Sequence, residues 1–134
     1  MFGEGPSDAQ IFFIGEQAGD QEDRIGRPFV GPAGALLEKA LGQIGLAREE
    51  IYITNVIKHF KFELRGKRRI HKRADAAEIA ACIEWLEREL DKVNPRYIVC
   101  LGAMAARAML GNDFGLLRQR GRWIRLNERR WCLA

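Results

Sequence analysis

The chain has 134 residues, 47% of them hydrophobic and 30% charged, with 22 lysines and arginines against 18 carboxylates and three cysteines. That is the size and composition of one globular domain, able to bury roughly two thirds of its unfolded surface. No apolar run approaches a membrane span, and Cys82, Cys100 and Cys132 are too few and odd in number for a disulfide framework. With no signal peptide recognised, the expectation is a cytoplasmic protein without a membrane partner.

In chain order, residues 1–9 are Gly-rich and polar and read as a connection. Ile11-Phe12-Phe13-Ile14, closed by Gly15, reads as a buried strand near 10–14 that stops at a sheet edge. A polar loop follows, GEQAGDQEDRIGRPFVGPAG over 15–34, whose glycines allow close backbone approach to a ligand. Ala35, Leu36, Leu37, Ala40, Leu41 and Ile44 then recur at helical spacing, and the helix ends between Gly42 and Gly45. Ile51–Val56 is the second strand.

The segment from Lys58 to Arg73 carries eight Lys/Arg and one Glu, which leaves 14 basic against 17 acidic residues elsewhere. A basic stripe on an acidic remainder, interleaved with Phe60 and Phe62, points to a polyanion gripped at one place, although solvated charge runs need no partner. Its fifteen or so residues are expected to form a loop, and loops of that length in compact domains are usually functional. Asp75 can cap a helix whose apolar face is Ile79, Cys82, Ile83, Leu86 and Leu90. Tyr97–Leu101 is a continuous apolar strand of the parallel-sheet kind, and Gly102 opens an Ala-rich helix to Leu110, stopped by Gly111. Arg118–Leu126 and Arg129–Ala134 read as two short strands. The alternation of strand and helix predicts an α/β fold, a three-layer α/β/α sandwich with a central parallel sheet, in a single domain spanning 1–134.

Four stretches then stand in order: Gly15-Glu16-Gln17-Ala18-Gly19 with Asp20-Gln21-Glu22-Asp23, Arg27 to Gly34 (RPFVGPAG), Tyr52 to Val56 (YITNV), and Lys67-Arg68-Arg69-Ile70-His71. Together they resemble the uracil-DNA glycosylase superfamily. Within it they are similar to the UdgX branch, relatives of the family 4 glycosylases that become covalently attached to uracil-containing DNA. The resemblance runs from about Ile11 to about Phe114, and the Lys-Arg-Arg-Ile-His insertion, which ordinary family 4 members lack, is its most specific part.

What the resemblance implies is a monomeric DNA-repair enzyme, acting on uracil in DNA and preferring single strands, where extruding a base is cheapest. Phe29 would stack on the flipped base, and Asn55 would read its edge by donating to a carbonyl oxygen and accepting from the ring N–H. Ala18 and Gly19 would border the uracil, with backbone N–H groups of the Gln17 to Gly19 turn meeting the charge of the departing base. Gln17 stands where other branches carry a water-activating aspartate, and an amide is no general base. His71 would then attack the sugar in place of water and stay attached. Glu16 and Asp20, ahead of Asp23, would orient these groups. Lys67, Arg68 and Arg69 would hold phosphates.

The family also carries a [4Fe-4S] cluster. Cys82 matches a helix ligand and His59 stands where relatives have a cysteine. The amino-terminal Cys-x-x-Cys and a late His-Pro-Ser motif are absent, so the chain is expected to be the middle of the family's domain without both ends. Ala18 replaces a usual proline. Read without the resemblance, Phe29 serves equally as a core anchor, Asn55 as a turn former and Cys82 as a core thiol, and His71 reads first as a phosphate-contacting or solvated loop histidine. Two other functions stay open: a non-catalytic nucleic-acid-binding α/β module, and a turning-over uracil-DNA glycosylase using water.

Overall fold

A computed structural model describes residues 1–134. In chain order the elements are β1 (Ile11–Gln17), α1 (Asp20–Ile25), α2 (Pro32–Gln43), β2 (Tyr52–Ile57), β3 (Phe62–Arg65), β4 (Arg68–His71), α3 (Ala76–Val93), β5 (Tyr97–Cys100), α4 (Ala103–Leu110), α5 (Leu116–Gln119), β6 (Trp123–Arg125) and β7 (Trp131–Leu133). Five strands form one sheet in the order β2-β1-β5-β7-β6. The first four run parallel, and β6 closes the edge antiparallel to β7.

Side chains along a strand alternate between faces, so β1 supplies both layers of core. Phe12 and Ile14 join Ile98, Cys100 and Cys132 beneath α3 and α4, whereas Phe13 joins Ile53 and Leu41 beneath α2. This is the α/β/α sandwich that the strand and helix alternation predicts, with one antiparallel strand at its edge. Helix α3 starts as expected: the Asp75 carboxylate accepts from Glu78 N at 2.9 Å, and Glu78 accepts from Asp75 N at 2.8 Å, two orphan amides satisfied reciprocally. No helix is long and apolar enough to cross a membrane.

Four local expectations are corrected. Strand β1 continues to Gln17, because Gly15 and Gln17 still pair with β2 at Asn55 and Ile57. The loop over 15–34 contains a helix, α1, whose acidic first turn suits a helix N-terminus and whose Gly26 takes the left-handed C-cap at φ 78°. The basic segment is a β-hairpin: β3 and β4 pair antiparallel about Gly66, at φ 64°, the glycine-first form of a two-residue turn. Arg118–Leu126, expected as a strand, divides between the end of α5 and the short β6.

Residues 1–9 are likewise more than a connection. Glu4 exchanges both backbone hydrogen bonds with Ile53, at 3.0 and 2.9 Å, so the segment lies along β2 as a further bridge. Gly3 and Gly5 permit this, since an added Cβ on either would run into the backbone of β2.

Candidate active site

Beyond the carboxyl ends of β1 and β2 lies a cavity of about 550 Å³, bordered by Gly15, Gln17, Phe29, Asn55, Leu101 and Gly102. A second recess of about 340 Å³ shares Gln17, Phe29 and Asn55 with it and reaches Gly19 and Glu22. Open α/β sheets bind ligands at this edge. The parallel register sets Asn55 opposite Gly15, and a Cβ on Gly15 would strike both the Asn55 amide oxygen and the tip of the Phe29 ring. The glycine is therefore what lets an amide and an aromatic ring converge on one point.

Phe29 is held in place from several sides. Its φ of 53° lies in the left-handed region, which a bulky side chain enters only when its surroundings compel it. The Arg48 guanidinium donates to the Phe29 carbonyl at 2.6 Å and also to the Pro28 carbonyl. The Glu22 carboxylate accepts from Val30 N at 3.1 Å and Gly31 N at 2.8 Å. Gly34 leaves room for the Phe29 backbone to lie directly on α2. The sequence reading missed Arg48, for which no local signal exists, and passed over Glu22 as one of several loop carboxylates.

Asn55 is braced from the opposite side of the sheet. The Lys58 ammonium donates to the Asn55 carbonyl at 2.7 Å, to Thr54 Oγ1 at 2.8 Å and to the Glu89 carboxylate. Both charged groups are buried, at 8% and 6% exposure. Burial lowers Lys58 from the ordinary lysine value, against the upward pull of Glu89. Tyr52, which donates to Glu89 at 3.1 Å, is raised by its own burial and by that carboxylate. A lysine after a strand carries no sequence sign of burial, so this network was also missed.

The hairpin is tied to the mouth of the cavity. Gln17 Nε2 donates to the Lys72 carbonyl at 3.3 Å, and Arg69 forms ion pairs with Asp20, at 3.1 Å, and with Asp23. The Arg69 guanidinium also lies over the Phe62 and Phe60 rings, 4.2 and 5.0 Å from their centroids. His71 is exposed, one residue from the Gln17 contact, with its ring centroid 5.8 Å from that of Phe60. It does not itself border either cavity.

Arg69 is only 18% exposed and paired with two carboxylates, whereas Lys67 and Arg68 are exposed. Asp20 and Asp23 serve as its anchors, and Asp20 also accepts from Arg24 at 2.8 Å. Glu16 accepts from Met104 N at 2.8 Å at the start of α4, beside Gly102. Ala18 is buried and Gly19 is the residue from which α1 starts.

For the expected [4Fe-4S] cluster, the two proposed ligands do meet. Cys82 Sγ lies 3.9 Å from His59 Nδ1 and accepts from Lys58 N at 3.5 Å. Such a cluster takes four ligands, and no group of three or more His, Cys, Asp or Glu side chains is placed to hold a metal. Cys100 and Cys132 are 3.6 Å apart inside the core. A hydrogen bond to Cys132 and burial raise Cys100, which keeps it a thiol. The residues of this chain do not by themselves complete a cluster site.

The sequence profile of the Uracil DNA glycosylase superfamily matches residues 2–133. A type-4 uracil-DNA glycosylase of Archaeoglobus fulgidus is 43% identical over 104 residues, covering 78% of this chain and 49% of the relative. One of Thermotoga maritima is 41% identical over 105 residues, covering 78% and 51%. A type-5 uracil-DNA glycosylase of Pyrobaculum aerophilum is 32% identical over 121 residues, covering 79% and 50%. The chain thus spans about half the length of the curated relatives it matches. A match over nearly every residue, on a fold whose sheet edge brings Phe29 and Asn55 together over Gly15, places this chain in the uracil-DNA glycosylase superfamily.

Proposed function

We propose that this chain excises uracil from DNA, preferably from single strands, and that His71 captures the sugar covalently as in the UdgX branch. The observation that carries the reading is the convergence of Phe29 and Asn55 on Gly15, with Gln17 beside them and the His71 hairpin bonded to Gln17. A flipped base stacks on the ring of Phe29. The amide of Asn55 donates to a uracil carbonyl oxygen and accepts from the ring N–H, a pattern that cytosine does not match.

When the glycosidic bond breaks, its electron pair leaves with the uracil, whose developing negative charge is met by N–H groups of the Gln17 to Gly19 turn. Gln17 cannot remove a proton from water. The lone pair of a neutral His71 ring nitrogen then forms the new bond to the anomeric carbon, and the other ring nitrogen gives up its proton to solvent. Arg69, fixed to Asp20 and Asp23, orients the hairpin, and Lys67 and Arg68 contact phosphates. The metal group of the family enters no step, since His59 and Cys82 alone are available to it.

The test is incubation with single-stranded uracil DNA followed by a denaturing gel, beside a His71→Ala variant. A shifted band that survives denaturation and is lost in the variant supports the reading. Free abasic product from the parent chain would assign the reaction to water instead, and salt-sensitive retention with no product would leave a binding module.

A further inference from the structure

The charge of the chain is not confined to the hairpin. Residues 118–130 hold six arginines and a single carboxylate, Glu128, a second basic tract that averaging over the rest of the sequence conceals. The structure divides these arginines into two groups. Arg125, Arg129 and Arg130 donate to backbone carbonyls of residues 94, 95, 127 and 128 and are spent in holding their own loop. Arg118, Arg120 and Arg122 are exposed, and their side chains take part in no hydrogen bond or ion pair, unlike Arg65 or Arg88.

The sheet topology decides where these three lie. Strand β7 runs parallel to β5 and β1, so its carboxyl end is at the same sheet edge as Gly15 and Gln17. Strand β6 is antiparallel, so the chain enters it at that edge, where Gly121 N donates to the Ala134 carbonyl at 2.7 Å. Leu101 and Gly102, at the end of β5, border the cavity. The tract 118–122 therefore stands two strand positions away, on the side opposite β2, at about 10 Å. It is accompanied by Leu117 and Trp123, both exposed, at 85% and 48%.

From this placement, and resting on the reading of the site as a DNA site, we propose that Arg118, Arg120 and Arg122 form a second phosphate-binding surface for single-stranded DNA. The strand runs from the hairpin, across the cavity, to this tract. From β2 to β6 is about 19 Å at the usual strand spacing, on the order of five or six nucleotides at a stacked rise of ~3.4 Å. Unpaired arginines give a grip that is sequence-independent and salt-dependent, and an exposed tryptophan offers a face for an unpaired base.

The experiment is equilibrium binding of the chain to a thymine oligonucleotide over a range of salt, which separates grip from excision. A triple variant, R118A/R120A/R122A, is expected to reduce the slope of log affinity against log salt by about 2, the value for three single-strand phosphates. R118K/R120K/R122K is expected to keep the parental slope, since phosphates need only the charge. The alanine effect should persist on thymine oligonucleotides long enough to reach from the hairpin to the tract and disappear on those shorter than about five nucleotides. An unchanged slope in the alanine variant, beside a reduced one in a K67A/R68A control, overturns the second surface and leaves the site reading standing. Failure of the lysine variant to restore the slope overturns it as well, by making the loss structural. If no variant alters binding and uracil DNA yields no product, both the surface and the site reading fall.

Discussion

At the scale of single residues, the site depends on one missing side chain. Gly15 lies where the Asn55 amide and the Phe29 ring meet, and any Cβ there would occupy the space of both. The atoms in the way are the free ends of side chains bordering an open cavity, so they can move aside. Gly15→Ala is therefore expected to cost no more than about 1–2 kcal/mol of stability while displacing the Asn55 amide and the Phe29 ring. A shift near 1 Å at a reacting centre lowers rates on the order of a hundredfold. On the proposed function, uracil excision by Gly15→Ala should fall by that amount with a nearly unchanged denaturation midpoint, and equal losses of both would point to a packing role instead. Arg48 is a different case, because it bridges the carbonyls of Pro28 and Phe29 and also the carboxylates of Glu4, at 2.9 Å, and Glu38, at 3.3 Å. A planar fork can serve two adjacent carbonyls, and a point ammonium cannot do so in the same way. Arg48→Lys should then behave like Arg48→Met, each losing about 1–3 kcal/mol in urea denaturation and weakening uracil-DNA binding as Phe29 leaves its left-handed conformation.

At the scale of elements, the hairpin of β3 and β4 belongs to neither the sheet nor the helix layers. Its hold on the domain is made of polar contacts: Arg69 to Asp20 and Asp23, Gln17 to the Lys72 carbonyl, and Lys61 to Asp75 and Glu78 at 3.2 and 2.6 Å. Arg69→Ala removes the first of these and the guanidinium stacked on Phe62. Hydrogen exchange should then quicken over residues 62–71 while the amides of β1, β2 and β5 keep their protection, and, on the proposed function, capture of uracil DNA by His71 should slow in step. Uniform quickening across the sheet would contradict a local anchor. The hairpin also marks where sequence reading succeeds and stops. The period-3.6 pattern of α3 and the continuous apolar patterns of β2 and β5 are decided by burial in the core, and burial is what hydrophobic periodicity records, whereas of the α2 pattern only Leu41 is buried and Leu36 and Ile44 are exposed. The hairpin packs against carboxylates and its own aromatics, so the eight Lys/Arg of the segment from Lys58 to Arg73 mask the Phe62 and Leu64 alternation and the Gly66-Lys67 turn that announce it. Phe29 and Asn55 were legible through family resemblance, whereas Arg48, Glu22 and Lys58 act on backbone carbonyls and amides across long separations, for which a single sequence has no sign.

At the scale of the whole molecule, one buried carboxylate joins three parts of the chain that are distant in sequence. Glu89, on α3, accepts from Gly3 N at 2.6 Å, from Tyr52 and Thr54 on β2 at 3.1 and 3.0 Å, and from Lys58, which in turn holds the Asn55 carbonyl. The amino-terminal segment, the central sheet and the helix layer thus close on a single point directly behind Asn55. A buried pair of this kind contributes little over an apolar replacement, because desolvation offsets most of the attraction, yet breaking one half leaves an uncompensated charge at a cost of about 3–5 kcal/mol. Lys58→Met is accordingly expected to lower stability by that amount. Lys58→Met combined with Glu89→Gln, which keeps an acceptor oxygen for Gly3 and Tyr52 without the charge, should recover most of it. A double-mutant cycle by chemical denaturation reads the difference as a coupling of several kcal/mol. The same double variant should still excise uracil more slowly than the parent, since the Asn55 carbonyl has lost its donor even where the fold has been restored. Additive losses in the cycle would show that the two groups act separately, and full recovery of rate in the double variant would show that the ammonium serves the fold alone.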